Sequence, residues 1–296
     1  MRSSTGLNCR LIGPAIVFLF CPALQQALAA APDILNPGPQ LPTFPTNTGT
    51  LPQGDVYLEY TPFSYEGGTP GRPGQVEHGQ GKFYNQFLAH VGVTDDLEVR
   101  AYGSGLTWNE GRPSNTSFSP LSFSAVYKFW GEGHLFPEMP AFAIEASVNT
   151  QWLGNSSQNS GTNPGLQFAF SKDIWFDTNL NISLGPMRSL SNPTINGVET
   201  GQYHWDFLFQ WALQRDIIEN ELAIFAHGYY NGTQAESIPA EDGTNQRPLT
   251  QTGKAVVGGG LIWTITDRVS MFGQISGGLN SVSPAIVSWS GFAVAF

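Results

Sequence analysis

The sequence predicts an all-β protein, a transmembrane antiparallel up-and-down β-barrel of about 12 strands that follows a cleaved signal peptide. Three observations lead to this fold class. Apolar and polar residues alternate with a period of two in segment after segment. The connections between these segments alternate between a short and a long class. Only 12% of the 296 residues are charged, about half the usual fraction for a soluble protein.

The N-terminus has the three parts of a secretory signal peptide. Arg2 and Arg10 provide a positive region, the run LIGPAIVFLFCPAL is apolar, and ALA-A provides a small-x-small cleavage site. We therefore expect residues 1–29 to be removed on export. Both cysteines, Cys9 and Cys21, lie in this segment. The mature chain should then contain no disulfide, no thiol nucleophile and no cysteine-bound metal.

Residues 30–53, here called the leader, have a different composition from the rest of the chain. The stretch 31–53 contains six prolines and no apolar periodicity, which predicts an extended, poorly ordered periplasmic segment. No plug domain is expected. Residues 54–296 keep one character to the end and are predicted to form the barrel.

Twelve segments in the region after the leader are predicted to be strands. They are 54–65, 80–93, 97–108, 121–129, 140–152, 165–171, 176–184, 203–213, 221–230, 255–265, 268–278 and 287–296. The connection at 94–96 is short and the next, at 109–117, is long, and this alternation continues along the chain. Short periplasmic turns and long outer loops are typical of barrels in the outer membrane of Gram-negative bacteria. Membrane lipid and lipopolysaccharide are therefore the expected surroundings.

A secreted β-sandwich is the alternative, because it also has period-two strands. A sandwich has no need for alternating loop classes, and it hides its large aromatic residues. The chain ends GFAVAF, with Phe292, Val294 and Phe296 on one face. A terminal aromatic residue on an amphipathic last strand resembles the signal that barrel proteins present to the barrel-insertion machinery. These features favour the barrel.

The segment YHWDFLFQWAL at 203–213 sets the expected facing of one strand. Trp205, Phe207, Phe209 and Trp211 share a face and are predicted to contact lipid, as is Phe296. The two tryptophans should lie toward opposite interfaces, with Trp211 on the periplasmic side. The residues between them then face a water-filled lumen, whose lining should be polar or small.

Several segments resemble a known family. They are GVTDDLEVRAYG at 92–103, WTITDRVSMFGQISGGL at 263–279, FPEMPAFAIEASV at 136–148 and the closing aromatic strand. They are similar to members of the MetA-pathway of phenol degradation family, whose proteins are described as transporters. The resemblance covers most of residues 54–296. It implies an outer-membrane barrel with a role in moving small, including aromatic, compounds, and it supplies no catalytic motif.

The candidate lumen-lining residues are polar positions on the predicted inner face. They are Glu98, Arg100, Lys128, Glu145, Asp177, His204, Asp206 and His227. They either select solutes or simply make ion pairs that rigidify the wall. If the turn at 216–220 joins strands whose residue numbers sum to about 435, Asp206 and His227 become diagonal neighbours. A hydrolase would also need a nucleophile that the sequence does not single out.

The sequence therefore predicts a non-enzymatic channel for passive passage of small solutes, with hydrophobic or aromatic compounds as candidates. A structural or adhesion barrel with a blocked lumen is the alternative, followed by a barrel-embedded lipid hydrolase. No cofactor and no metal site are expected. The acidic balance, 23 Asp and Glu against 13 Lys and Arg, and the lack of a basic stripe argue against nucleic-acid binding.

Overall fold

The protein forms a closed antiparallel barrel in which twelve strands follow chain order. The computed structural model describes residues 34, 39–40, 44–67, 81–109, 116–150, 163–191, 194–195, 198–199, 202–232, 237–239, 246–248, 253–280 and 283–296. The predicted signal peptide lies outside these residues. The barrel strands are β1 Val56–Gly67, β2 Lys82–Thr94, β3 Leu97–Gly103, β4 Ser122–Trp130, β5 Ala141–Asn149, β6 Asn163–Ile174, β7 Thr178–Ser191, β8 Gln202–Ile218, β9 Leu222–Gly232, β10 Lys254–Thr266, β11 Val269–Gly278 and β12 Ile286–Ala295.

The barrel closes where β1 pairs with both β2 and β12. The register places Tyr57 opposite Ala295 on one side and opposite His90 on the other. A bulge between Tyr60 and Phe63 interrupts the pairing with β12. Closure leaves no unpaired strand edge, which is the condition for a sheet to cross hydrocarbon. Among the described residues, no helix is long and apolar enough to cross a membrane.

Three hairpins extend from the end of the barrel opposite the termini. Leu106–Asn109 pairs with Thr116–Phe118 and also continues the sheet from β2. Thr194–Ile195 pairs with Val198–Glu199, and Ser237–Pro239 pairs with Gln246–Pro248. The opposite end carries short turns, such as the 3₁₀ turn Trp175–Asp177. Short periplasmic turns and elaborate outer loops fit the predicted topology.

The outer face of the wall is apolar and aromatic. Trp205 is 55% exposed and Phe207 48% exposed, while Asp206 between them is buried. Phe209 and Trp211 lie on the same outer face and are partly covered by neighbouring side chains. Phe296, after β12, is 44% exposed. Exposed aromatic residues and a buried carboxylate thus alternate at positions 205–207 of this strand.

The pairing of β8 with β9 differs from the predicted register. β8 continues to Ile218, and the turn is made by Glu219, Asn220 and Glu221. Gln210 therefore lies opposite Tyr229, and Ala212 opposite His227. The main cause is that β8 extends through the first part of the predicted turn at 216–220; the bulge between Asp216 and Ile218 changes the register by only one residue. Because β8 runs well past Trp211, that ring lies along the wall rather than at its periplasmic end.

The described residues of the leader, 34, 39–40 and 44–53, lie inside the barrel. Thr46 contacts Glu145 on β5 and Ser183 on β7, and Leu51 contacts Glu98 on β3. The Ile34 amide bonds to Asp267 O at 2.8 Å in one periplasmic turn, and the Gln53 amide bonds to Asp95 in another. The chain thus enters the lumen from the periplasmic end and returns to it. The expectations of a leader outside the barrel and of a lumen without a plug are wrong for these residues.

Gly92 on β2 is the point where the returning leader passes closest to the wall. A Cβ atom at this position would lie 2.0 Å from the carbonyl oxygen of Pro52 and 2.6 Å from that of Leu51. Both obstacles are backbone atoms, which cannot rotate away. A glycine is therefore required for the leader to cross β2.

We expect Gly92→Ala either to displace the leader from the lumen or to lower the free energy of unfolding of the barrel by about 1–3 kcal/mol. The measurement is limited proteolysis of the folded barrel in detergent, together with denaturant unfolding. Gly131→Ala is the matched control, because a Cβ there meets nothing within 4 Å. Equal protease resistance and equal stability of the two variants would contradict this role for Gly92.

Candidate functional site: the barrel lumen

A buried network of charged side chains lines the lumen wall on β1, β2, β3 and β5. At its centre, His90 Nε2 lies 2.9 Å from Glu59 Oε1, and His90 Nδ1 lies 2.9 Å from Glu98 Oε1. All three residues are less than 5% exposed. Since ionised carboxylates only accept hydrogen bonds, this arrangement uses both N–H donors of an imidazolium ring.

Arg100 extends the network to a third carboxylate. Its Nε lies 2.5 Å from Glu98 Oε1, and a terminal nitrogen lies 3.8 Å from Glu145 Oε1. Two cationic groups thus face three carboxylates in a space closed to solvent. A buried charge is costly unless it is paired and fully hydrogen-bonded. The carboxylates therefore need further donors.

The leader supplies one donor to each of the three glutamates. The Gln40 amide donates to Glu59 Oε1 at 2.7 Å, and the Leu51 amide donates to Glu98 Oε2 at 2.9 Å. The Thr46 hydroxyl donates to Glu145 Oε2. These bonds join neutral donors to charged acceptors, the stronger class of hydrogen bond. The leader is therefore hydrogen-bonded to each of the three buried glutamates of this network.

An apolar seat holds the leader on the opposite side. The Phe44 ring packs edge-on against Phe225 at 4.8 Å between centroids and stacks on His227 at 5.4 Å. Ile34 and Leu51 are fully buried in the same apolar cluster as Phe225. The leader thus bridges a charged wall and an apolar wall.

The apolar wall consists of inward-facing residues on β9 to β12. Phe225, Phe272 and Trp289 are each no more than 5% exposed. Phe225 fits because the facing residue on β10 is Gly260, where a Cβ would lie 2.6 Å from the Phe225 ring. The lumen lining was expected to be polar or small throughout. On these four strands, three of the inward-facing side chains are aromatic instead.

The predicted lumen residues fall into three groups. Glu98, Arg100, Glu145, Asp206 and His227 are buried on the inner face. Lys128 lies at the periplasmic mouth, where its Nζ is 3.3 Å from Asp96. Asp177 does not line the lumen: it is exposed in the turn after β6, with a φ of 54°. The side chain of His204 lies outside the described part of the structure.

Asp206 and His227 are not diagonal neighbours. His227 is paired with Ala212, and Asp206 lies six residues before Ala212 on β8. The His227 Nε2 atom lies instead 3.1 Å from the Ser276 hydroxyl on β11. The longer β8 and the later turn separate the two side chains along the sheet. The geometry suggested for a histidine–carboxylate pair is therefore wrong.

Sequence reasoning missed the leader residues at this site. A usable signal was present, since threonine recurs at positions 46, 48 and 50, and all three are buried. Period-two threonines fit an extended segment in polar surroundings. The prolines led to a prediction of disorder. Proline also favours an extended backbone, and a chain that is threaded into a lumen has to be extended.

Two carboxyl groups at the periplasmic end, outside the strands, have shifted pKa values. Burial raises the pKa of Asp55, whose carbonyl accepts from the Gly92 amide at 3.0 Å. Burial would also raise the pKa of Glu132, but hydrogen bonds from Lys172 and from the Asp173 amide lower it. The second carboxylate thus fastens the 131–140 connection to β6. Within the described residues, no group of three or more His, Cys, Asp or Glu side chains could hold a metal ion.

A closed barrel with an apolar, aromatic outer face defines the class of protein: it is an outer-membrane β-barrel of the Gram-negative type. The sequence matches the model of one family, described as "Putative MetA-pathway of phenol degradation", over residues 43–296. The chain belongs to this family. The match begins inside the leader, so residues 43–53 are part of what the family shares.

Solved structures with the same fold include two outer-membrane proteins. An outer membrane channel from Pseudomonas putida F1 superposes with a TM-score of 0.57 at 13% identity, covering 85% of this chain and 99% of its own. The NanC porin superposes with a TM-score of 0.50 at 10% identity, covering 80% and 98% respectively. Among curated protein sequences, none matches this chain.

Glu98 should be the most sensitive carboxylate of the lumen, because His90, Arg100 and the Leu51 amide all depend on it. We expect Glu98→Ala to destabilise the barrel by about 3–5 kcal/mol, since it leaves the buried Arg100 with only the more distant Glu145 as a partner. Denaturant unfolding in detergent, followed by tryptophan fluorescence, measures this loss. Glu138→Ala, at an exposed site in the 131–140 connection, is the control. A loss below about 1 kcal/mol for Glu98→Ala would show that the network is not coupled in this way.

Proposed function

We propose that the protein is a channel for passive passage of small solutes across the outer membrane, and that these solutes have an apolar or aromatic face. The observation that carries the proposal is the division of the lumen into two walls. The packed rings of Phe225, Phe272 and Trp289 form one part of the lining, while Glu59, Glu98 and Glu145 lie on another. An apolar wall lowers the cost of dehydrating a ring, which a uniformly polar pore would not do.

The passage must be narrow. A twelve-stranded barrel is intermediate between barrels filled by side chains and open porins. Here the leader and the aromatic residues take up much of the periplasmic half of the lumen. Small solutes in single file fit this space, and large hydrated solutes do not. The named functions of the two similar structures, a channel and a porin, are compatible with such a role.

A blocked structural barrel is the second candidate, because one observation favours it. The leader is bonded to three buried carboxylates and packed against Phe225. If these contacts always close the path through the lumen, the barrel conducts no solute. Its outer loops would then carry the function by binding partners.

Assembly of either kind of barrel requires membrane insertion. We infer that the barrel-insertion machinery recognises the last strand, because every second residue of β12 is buried, the residues between are more exposed, and the exposed Phe296 follows. Lipopolysaccharide is the expected neighbour of the outer half of the wall. Both partners follow from the proposed location and chemistry of these surfaces.

The channel proposal predicts a small single-channel conductance in planar bilayers, with reversible block by benzyl alcohol. Glycerol at the same concentration should block much less, because it has no apolar face to place against the aromatic wall. A complete absence of conductance in correctly folded protein would favour the blocked barrel.

A matched pair of variants tests the aromatic wall. Phe272 is 3% exposed and faces inward, while its cross-strand neighbourhood on β12 includes Phe292, which is 40% exposed on the lipid side. We expect Phe272→Leu to weaken the benzyl alcohol block by roughly threefold, given about 0.5–1.5 kcal/mol for an aromatic contact. Phe292→Leu should leave the block unchanged. Equal effects of the two substitutions would mean that the solute does not meet this wall.

A further inference from the structure

A cleft remains beside the leader at the periplasmic mouth of the barrel. It lies between the leader and strands β7 to β10, with a cavity volume of about 80 Å³. That space holds several water molecules, or a solute of similar size. Asn181, Gln214, Ala223 and Ile262 contribute to the wall side, and Phe44 and Asn47 to the leader side.

The described side chains that line the cleft include negatively charged groups and no positively charged ones. Side-chain amides come from Gln40, Asn47, Asn181 and Gln214, and carboxylates from Asp216 and Glu221. Among the described residues that line it, none is Lys, Arg or His. Phe44, Leu222 and Ile262 add apolar surface. A neutral or cationic solute with one apolar face matches this lining, and an anion does not.

Phe44 separates the cleft from the deeper lumen. Its ring forms part of the cleft and also contacts Phe225 and His227 on the inner wall. The main chain nearby is fixed differently, since Thr46 is bonded to Ser183 and Glu145. A side-chain rotation of Phe44 breaks ring contacts only. Withdrawal of the leader breaks hydrogen bonds to three buried charges as well.

We propose that this cleft is a solute-binding vestibule, and that solutes leave the barrel through it past the Phe44 ring while the leader backbone stays bound. The proposal rests on the proposed channel function and adds the route, the solute class and the moving part. Its solutes are small, neutral or cationic, and carry an apolar or aromatic face.

Single-cysteine variants test the route, because both cysteines of the chain lie in the segment 1–29. Gln214→Cys, modified with a bulky methanethiosulfonate reagent, should reduce conductance at least fivefold. Glu138→Cys, modified to the same extent, should have no effect. Full modification at position 214 without loss of conductance would overturn the vestibule.

A second cysteine reports on the leader. Thr48 is 4% exposed within the leader, so Thr48→Cys should react slowly with the same reagent. We expect that rate to stay constant while solute passes. An increase of tenfold or more during passage would show that the leader leaves, and would overturn the proposed route.

Phe44→Ala should raise conductance at least twofold, whereas Phe63→Ala, at a 75% exposed outer position, should not.

Charge selectivity is measured with three probes that share one ring. Benzylammonium and benzyl alcohol should enter the vestibule, and benzoate should be at least tenfold weaker. Reversal potentials give the relative permeability of the two ions, and an environment-sensitive fluorophore on the cysteine at position 214 reports binding of all three. Binding in this order without any conductance would contradict the channel function but support the vestibule as a binding site. Conductance with no preference between the probes would support the channel function and contradict the vestibule.

Discussion

Pairing of every backbone group in the wall is the constraint on which the structure depends. Hydrocarbon offers no partner for an amide or a carbonyl, so the first strand has to find the last. The β1–β12 pairing meets this need even though a bulge lies between Tyr60 and Phe63. Once the sheet is closed, the lipid side has to be apolar, and all remaining polar groups are confined to the lumen or to the two rims.

Closure then creates a second problem, which is how to fill the interior. A cylinder of twelve strands is wider than the side chains on its wall can fill. This chain uses two materials: aromatic rings from β9 to β12, and its own N-terminal leader. The buried glutamates and the leader depend on each other, since the leader supplies a donor to each of the three carboxylates and these carboxylates hold its backbone and Thr46 in the lumen.

The sequence allowed the wall to be predicted well, because alternation and loop class follow directly from having lipid on one side. The facing of Trp205 and Phe207 needed nothing more. The β8–β9 register could not be obtained in this way, since the alternation does not show where β8 ends, and a bulge at Asp216–Ile218 shifts the register by one further residue. Phe225, Phe272 and Trp289 break the polar-inside rule because they pack against one another and against the leader. That contact joins residues distant in sequence, and no local pattern reveals it.

The leader touches the wall at points spread around the barrel. Its described contacts include Glu59 of β1, Glu98 of β3, Glu145 of β5, Ser183 of β7 and Phe225 of β9. A thin sheet rolled into a tube has little resistance to flattening, and spokes that meet it at intervals supply that resistance. The leader is therefore a cross-brace that holds the barrel round, so the cross-section of the passage and the seating of the N-terminus are one mechanical property.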